Sequence, residues 1–346
     1  MCGRGIDQVL ARPCSLEIYE HYLRSAVGYV RLAEEANGPV PRRNGLCYVW
    51  GAALGQLKRM QPDARIINLE PAVTRSHDRA NKGINYRMCP ENAECLAAAG
   101  IDCCVLANNH VLDWGLAGLL ETLAVLQKLK VKATGAGRND REARAPAVLN
   151  LANARLLIFS FGSTSSGIPL EWAATPDAPG VNLLPDLSEA SASEVADQVM
   201  ALRRPGDLVV VSIHWGSNWG YHVPYEQKIL ARALIDKAGV SIVHGHSSHH
   251  PRAIEIYRDR LVLYGCGDFL NDYEGIDGYE RYRDDLALMY FADLDPTSGA
   301  QTGSLQIKNF RLSIHRGGTL NGSSRHWMGN VSSSEQGSFL IPNGSL

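Results

Sequence analysis

Residues 101–130 read IDCCVLANNHVLDWGLAGLLETLAVLQKLK and predict one strand followed by one helix. The apolar run CCVLA is typical of a buried strand, and the segment from DWGL onward carries apolar residues at helical spacing. Between them lies NNH, where polar side chains follow directly on the strand. A strand that leads into a helix in this way is typical of α/β folds, in which helices cover the faces of a sheet.

The same alternation continues on both sides of this unit. The segments ARIINLE, GDLVVVSIHWG and VSIVHGH predict strands, while PENAECLAAAG, SEASASEVADQVMALRR and PYEQKILARALIDKAG predict helices. A further helix is expected within residues 15–35. Two predicted hairpins, APAVLNLANARLLIFSFG and RAIEIYRDRLVLYG, add antiparallel strands. The pattern predicts a single α/β domain with a large mixed sheet, spanning residues 1–314. A tail rich in Gly, Ser and Asn, 315–346, is expected to be poorly ordered.

Composition narrows the class of protein. The chain has 34 Lys and Arg against 36 Asp and Glu, so no general field attracts nucleic acid, and none is expected as a partner. No apolar run has the length of a transmembrane helix, and MCGRGIDQVL lacks the features of a signal peptide. As written, the chain is expected to be cytoplasmic. The eight cysteines lack a CxxC spacing, which favours small buried hydrophobes in a reducing compartment.

Polar residues follow four of the predicted strands. They are Asn68 and Glu70 in NLE, Asn109 and His110 in ANNH, His214 in IHWG, and His246 and His249 in VHGHSSHH. The carboxyl ends of neighbouring strands line one crevice in α/β sheets, so these residues are expected to meet. Carboxylate, amide and imidazole groups suit Mn, Fe or Zn. A single histidine after a strand is more often a hydrogen-bonded loop residue, and the convergence of several favours a catalytic site.

The chain also resembles a known family. NLEPAVT, the segment KGINYRMCPENAECLAAAGIDCCVLANNHVLDWGLAGLLETL, IHWGSNW, LIDKAGVSIVHGHSSHH and LVLYGCGDFLNDY are similar to motifs of the CapA family. Its founding members serve poly-γ-glutamate capsule synthesis, and its fold is similar to the calcineurin-like metallophosphoesterases. The resemblance implies an α-β-β-α sandwich with mixed sheets and a site for two divalent metal ions, Mn, Fe or Zn.

The resemblance implies a role for each strand-end residue. The implied metal ligands are Glu70, Asn109, His214, His246 and His249, and His110 is the implied proton donor to the leaving group. We further expect Asp113 or Asp268 to orient the histidines. Arg4 and Arg87 are weaker candidates for binding an anionic substrate, with Asn68 as a supporting group.

The beginning of the chain departs from the family pattern. In the family, the segment that resembles MCGRGID follows a first strand and a Gly-Asp whose carboxylate binds metal. The first strand is therefore expected to be missing from this chain, and we favour a start assigned too late over a real loss. An upstream segment would allow a membrane-anchored or secreted protein.

Two functions from different classes follow from the resemblance. The first is a metal-dependent hydrolase that cleaves a phosphoester or a γ-glutamyl amide in the synthesis of poly-γ-glutamate or another cell-surface polymer. Its partners would be a small anionic substrate or the polymer, with a membrane synthase. The alternative is a non-catalytic component that binds the polymer or assists the synthase in capsule assembly or export.

Overall fold

The computed structural model describes residues 1–302, 305–311 and 338–339. Its α-helices are α1 Arg4–Val9, α2 Val27–Asn37, α3 Ala52–Met60, α4 Glu94–Ala98, α5 Gly115–Lys128, α6 Asp140–Arg144, α7 Glu189–Leu202 and α8 Tyr225–Ala238. Its strands are β1 Ile66–Asn68, β2 Ala72–Val73, β3 Arg87–Met88, β4 Cys103–Val105, β5 Lys132–Thr134, β6 Ala136–Gly137, β7 Ala147–Asn150, β8 Arg155–Ser163, β9 Gly180–Val181, β10 Leu183–Leu184, β11 Asp207–His214, β12 Ile242–His246, β13 Ile254–Tyr257, β14 Arg260–Leu263, β15 Leu286–Phe291, β16 Gln306–Arg311 and β17 Ser338–Phe339.

The strands that end at the predicted site belong to two sheets. The small sheet contains three parallel strands in the order β1-β4-β5. The large sheet has the order β10-β8-β11-β12-β14-β13-β17, with β7 also paired to β8. Its central strands are parallel, whereas β7, β13 and β17 pair antiparallel. The large mixed sheet is therefore confirmed, but the expectation that it holds all the strand ends is wrong.

The two sheets pack face to face, and helices cover their outer faces. Val105 of β4 shares a core cluster with Val210 of β11, so these side chains fill the space between the sheets. Cys104 points the other way and packs in a cluster with Leu119 of α5. This alternation follows from the two-residue period of a strand.

The outer face of the large sheet is covered in the same way. Val211 lies in a buried cluster with Val195 of α7 and Leu230 of α8. The resulting order of layers is helix, small sheet, large sheet, helix. The predicted α-β-β-α sandwich with mixed sheets is thus confirmed.

The helix expected within residues 15–35 is only partly correct, because α2 begins at Val27. The segment before it folds back, and Glu17 and Ser25 form an antiparallel bridge. This path brings the carboxylate of Glu20 into hydrogen-bonding contact with the Tyr29 hydroxyl. In a continuous helix these two residues would be about 13 Å apart along the axis, since the rise is about 1.5 Å per residue. A buried polar contact therefore overrides the local helical pattern.

Other expectations can be compared directly. Both predicted hairpins are present, as β7 with β8 and β13 with β14. All eight cysteines are free, and six of them are buried. In the described part of the chain, no helix is both long and apolar enough to cross a membrane. The predicted tail, 315–346, lies outside the described residues except for Ser338 and Phe339, so its boundary at residue 314 stays a prediction.

Candidate functional site

The predicted site lies between the two sheets, at the carboxyl ends of β1, β4, β11 and β12. Val210 of β11 belongs to the core between the sheets, so the strand period turns Ser212 and His214 to the same side. Ile242 packs on that core from β12, which turns His246 toward the small sheet as well. Strand alternation thus brings imidazoles of the large sheet to face polar groups of the small sheet.

His214 contacts three of the other predicted metal ligands. Its Nε2 lies 3.1 Å from Oδ1 of Asn109 and 3.8 Å from Oε1 of Glu70. Its Nδ1 lies 2.7 Å from Nδ1 of His246. Glu70 also accepts a hydrogen bond from the amide of Asn68. The structure therefore brings Glu70, Asn109, His214 and His246 into one cluster.

The hydrogens along this cluster follow from the number of donors and acceptors. Nε2 of His214 faces two oxygens and carries the hydrogen, so its Nδ1 accepts from Nδ1–H of His246. Nε2 of His246 then accepts from Oγ of Ser212 at 2.9 Å. Ser212 in turn accepts from Nδ1–H of His244, also at 2.9 Å. In this arrangement each of the three rings is neutral.

Burial favours the same neutral state. It lowers the pKa of His214 to about 4 and that of His244 to about 4, and it lowers the pKa of His246 well below its usual value. Burial by itself would raise the pKa of Glu70, but the neighbouring imidazoles and the Asn68 amide lower it overall. At neutral pH the cluster therefore presents neutral imidazoles and an ionised carboxylate, which are the protonation states that bind metal ions.

His249 is held beside this cluster by a separate partner. Its Nδ1 lies 3.0 Å from Oδ2 of Asp268, and its Nε2 lies 3.4 Å from the hydroxyl of Tyr273. Burial would lower the pKa of His249, but Asp268 raises it overall. This hydrogen bond is the contact expected of a carboxylate that orients His249. His249 makes no hydrogen bond to the other predicted ligands among the described residues.

His110 is oriented by the other expected carboxylate. Nδ1 of His110 lies 2.7 Å from Oδ2 of Asp113, which is fully buried. Asp113 also accepts the backbone N–H of Tyr86 at 2.6 Å and forms an ion pair with Lys82 at 2.8 Å. The carboxylate fixes the hydrogen of His110 on Nδ1 and leaves Nε2 for proton transfer.

Two contributors at the site were missed from the sequence. Asn108 is fully buried, and its amide donates to Oδ1 of Asn68 at 3.1 Å and to the carbonyl of Leu69 at 2.9 Å, which ties β4 to β1. Its Oδ1 accepts the backbone N–H of His110. The ANNH motif contains this residue, so a signal was available. Lys82 begins the KGINYRM segment that carries part of the family resemblance, so a signal was available for it as well.

Arg4 lies in a buried network outside the histidine cluster. Its side chain forms ion pairs with Glu20 at 2.8 Å and with Asp272 at 2.5 Å, and is 2% exposed. The guanidinium also stacks on the rings of Tyr29 and Tyr86. These contacts are typical of a structural ion-pair network.

Arg87 is also buried away from the cluster. Its Nη1 donates to the carbonyl of Ser76 at 3.0 Å, and its guanidinium lies 4.0 Å from the ring centre of Trp114. Together with Arg4 it lines a small cavity. The structure therefore groups Asn68 with the ligand cluster but not these two arginines.

The donor set fits a divalent cation by its chemistry. Neutral imidazoles, a carboxylate and an amide oxygen are ligands for Zn, Mn and Fe. Within the described residues, however, no three His, Cys, Asp or Glu side chains are arranged to hold one ion. His214 and His246 bond to each other through their Nδ1 atoms.

The layer order and the crevice between the sheets define an α-β-β-α sandwich with mixed sheets. Residues 1–273 match the family described as "Bacterial capsule synthesis protein PGA_cap". The chain belongs to this family, and the resemblance to CapA is confirmed.

Three relatives illustrate the match. A "Probable polyglutamine synthesis accessory protein" of Mycobacterium tuberculosis is 44% identical over 334 residues, which cover 96% of this chain and 87% of the relative. The "PGA biosynthesis protein CapA" of Bacillus subtilis is 30% identical over 69% of this chain and 60% of its own length. The "Capsule biosynthesis protein CapA" of Bacillus anthracis is 27% identical over 62% of this chain and 50% of its own length.

A solved structure also aligns with this chain. It is described as a novel phosphatase from Mycoplasma pneumoniae and covers 79% of this chain and 85% of its own, with 15% identity and a TM-score of 0.44.

Proposed function

We propose that this protein is a metal-dependent hydrolase that serves the synthesis of poly-γ-glutamate or a related cell-surface polymer. One observation supports the hydrolytic role. The carboxyl ends of four strands in two sheets bring together the side chains of Glu70, Asn109, His214 and His246. The capsule and polyglutamine synthesis named for the relatives supports the biological setting.

Five residues would hold two divalent ions, Mn, Fe or Zn. They are Glu70, Asn109, His214, His246 and His249. When bound, such ions supply Lewis-acid chemistry, which lowers the pKa of water and stabilises negative charge on the attacked centre. Asp268 would keep His249 oriented, and Asn68 would keep the Glu70 carboxylate in place.

His110 would move the proton at the leaving group. Its Nδ1–H is bonded to Asp113, so Nε2 is the nitrogen that gives up or takes the proton. This arrangement supports cleavage of a phosphoester or of a γ-glutamyl amide, because both reactions need a protonated leaving group.

A second candidate is a non-catalytic component that binds the polymer or assists a membrane synthase. The observation that favours it is that no three His, Cys, Asp or Glu side chains of the described residues are arranged around one ion position. The word "accessory" in the name of the mycobacterial relative is compatible with it.

Metal content tests the first candidate directly. Protein loaded with Mn and then desalted is expected to retain about two ions per chain, as in two-metal hydrolases. The double substitution His214→Ala/His246→Ala should abolish retention, whereas His77→Ala, at an exposed loop position, should leave it unchanged. Equal metal content in the double variant and the wild type would contradict the proposed ligand set.

Hydrolysis separates the two candidates. Bis-p-nitrophenyl phosphate with added Mn is expected to be cleaved by the wild type and by His77→Ala. His110→Ala should lower kcat by about 100-fold or more for a phosphodiester with an alkoxide leaving group, which has to be protonated, and by much less for this p-nitrophenyl ester. Metal retention without hydrolysis of this ester, or of a γ-glutamyl anilide, would favour the non-catalytic role.

A further inference from the structure

Lys82 brings a positive charge to the site from the loop between β2 and β3. Its Nζ donates to the backbone carbonyl of Asn109 at 2.5 Å and contacts Oδ1 of Asp113 at 2.8 Å. The ring centre of Trp172 lies 5.4 Å from the same Nζ, a distance at which an aromatic face attracts a cation. Three different contacts therefore hold the ammonium in one position next to His110.

The ammonium retains at least one unused donor. A lysine has three N–H groups; one donates to the carbonyl of Asn109, whereas Oδ1 of Asp113 lies at ion-pair distance without accepting a hydrogen bond. Nδ1 of His110 lies 3.3 Å away, but it donates its own hydrogen to Asp113 and cannot accept one from Lys82. At least one N–H thus remains for a group that is not part of the protein.

Exposure distinguishes Lys82 from the arginines that the sequence indicated. The Lys82 side chain is 28% exposed, whereas the Arg4 side chain is 2% exposed and Arg87 is buried. Both arginines are already engaged by carboxylates, a carbonyl or aromatic rings. A charged donor that is fixed in position and reachable from solvent is suited to bind an anion.

We propose that Lys82 is the anion-binding residue of this site, where its free N–H binds an oxyanion of the substrate beside Nε2 of His110. The oxyanion is a phosphate or a carboxylate oxygen. This inference rests on the proposed function in one respect: it assumes that the reacting group of the substrate lies at His110. The binding of an anion by Lys82 is measurable without catalysis.

The test is anion binding to metal-free protein. Inorganic phosphate and glutarate are titrated separately in the presence of EDTA by calorimetry, so that the stronger ligand distinguishes a phosphate from a carboxylate site. Lys82→Met is expected to weaken binding of the preferred anion about 10- to 100-fold, the range for hydrogen bonds to charged groups. Lys82→Arg should remain within about threefold of the wild type because it keeps a charged donor.

Matched controls separate this role from general effects. Lys128→Met removes an exposed lysine of α5 and changes the net charge by the same amount as Lys82→Met. It should bind the anion like the wild type, which would show that net charge alone does not weaken binding. If Lys82→Met fails to fold because Asp113 loses its ion pair, Lys82→Gln keeps a donor toward Asp113 without the charge and should show the same weakening.

The inference is overturned if Lys82→Met, or Lys82→Gln in its place, binds the anion as tightly as the wild type, or if the wild type binds neither anion at millimolar concentration. Lys82-dependent binding without hydrolysis of either bis-p-nitrophenyl phosphate or a γ-glutamyl anilide would refute the proposed hydrolase and leave this inference standing. Hydrolysis together with anion binding that does not depend on Lys82 would refute this inference and leave the proposed hydrolase standing.

Discussion

His214 and His246 are direct partners in the register of two neighbouring parallel strands, and their Nδ1 atoms lie 2.7 Å apart. The pairing of β11 with β12 alone therefore brings the two imidazoles together. A shift of one residue in that register would turn one ring to the opposite face of the sheet. The geometry of the cluster is consequently a property of the sheet and not of the flanking loops.

Ser212→Ala is expected to lower the free energy of unfolding by about 1–3 kcal/mol, because Nδ1–H of His244 and Nε2 of His246 both lose their buried partner. Urea denaturation measures the change. Ser15→Ala, at an exposed position, serves as the control and should change stability by less than about 0.5 kcal/mol. Equal midpoints for the two variants would mean that the hydrogen-bonded chain adds no stability.

Asp113→Asn is expected to lower kcat for a phosphodiester with an alkoxide leaving group by about 10- to 100-fold, the usual effect of removing a carboxylate that orients a functional histidine. The neutral amide oxygen of asparagine is a weaker acceptor for the Nδ1–H of His110 than the carboxylate, so it holds the ring less firmly. Asp63→Asn, an exposed substitution, should match the wild type, and a wild-type kcat for Asp113→Asn would exclude an orienting role.

Arg4→Met is expected to destabilise the fold by about 3–5 kcal/mol, because it leaves Glu20 and Asp272 buried without their cation. The midpoint of thermal or urea unfolding measures this effect. The control Arg12→Met replaces an exposed arginine. For whatever folded fraction remains, KM should be unchanged; an increase in KM without loss of stability would instead support the substrate-binding role indicated by the sequence.

Asp207→Asn is expected to destabilise the protein at neutral pH by roughly 1 kcal/mol, since Asp207 accepts charged hydrogen bonds from Arg155. Hydrogen bonding to Arg155 lowers the pKa of Asp207 below its ordinary value of 3.8. The stabilisation is therefore fully present above that ordinary pKa and is lost as the pH falls through the lower, folded-state pKa. Urea denaturation from pH 7 to pH 2.5 should show the two proteins converging in acid; a constant difference would contradict this origin.

The sequence predicted individual elements better than their assembly. The strand CCV and the helix after it follow from an apolar run and a helical repeat, which are local properties. The division of the strands between two sheets is not local, because any strand with two apolar faces can pair with several others. The fold-back at residues 15–26 was missed for a similar reason, since it depends on a buried contact between Glu20, Arg4 and Tyr29.

The sequence by itself determined which side chains lie at the ends of the strands, because the pattern of apolar residues predicts where a strand ends and which faces its side chains occupy. It therefore indicated Glu70, Asn109, His214 and His246 as neighbours before any coordinates. Only the tertiary structure decided which charged residues reach them. Arg4 and Arg87 are drawn into the interior by distant carboxylates, carbonyls and rings, whereas Lys82 is brought to His110 by a loop whose path depends on contacts remote in sequence. The interaction energy of two charged groups depends on the distance between them, and the packing of the folded chain sets that distance.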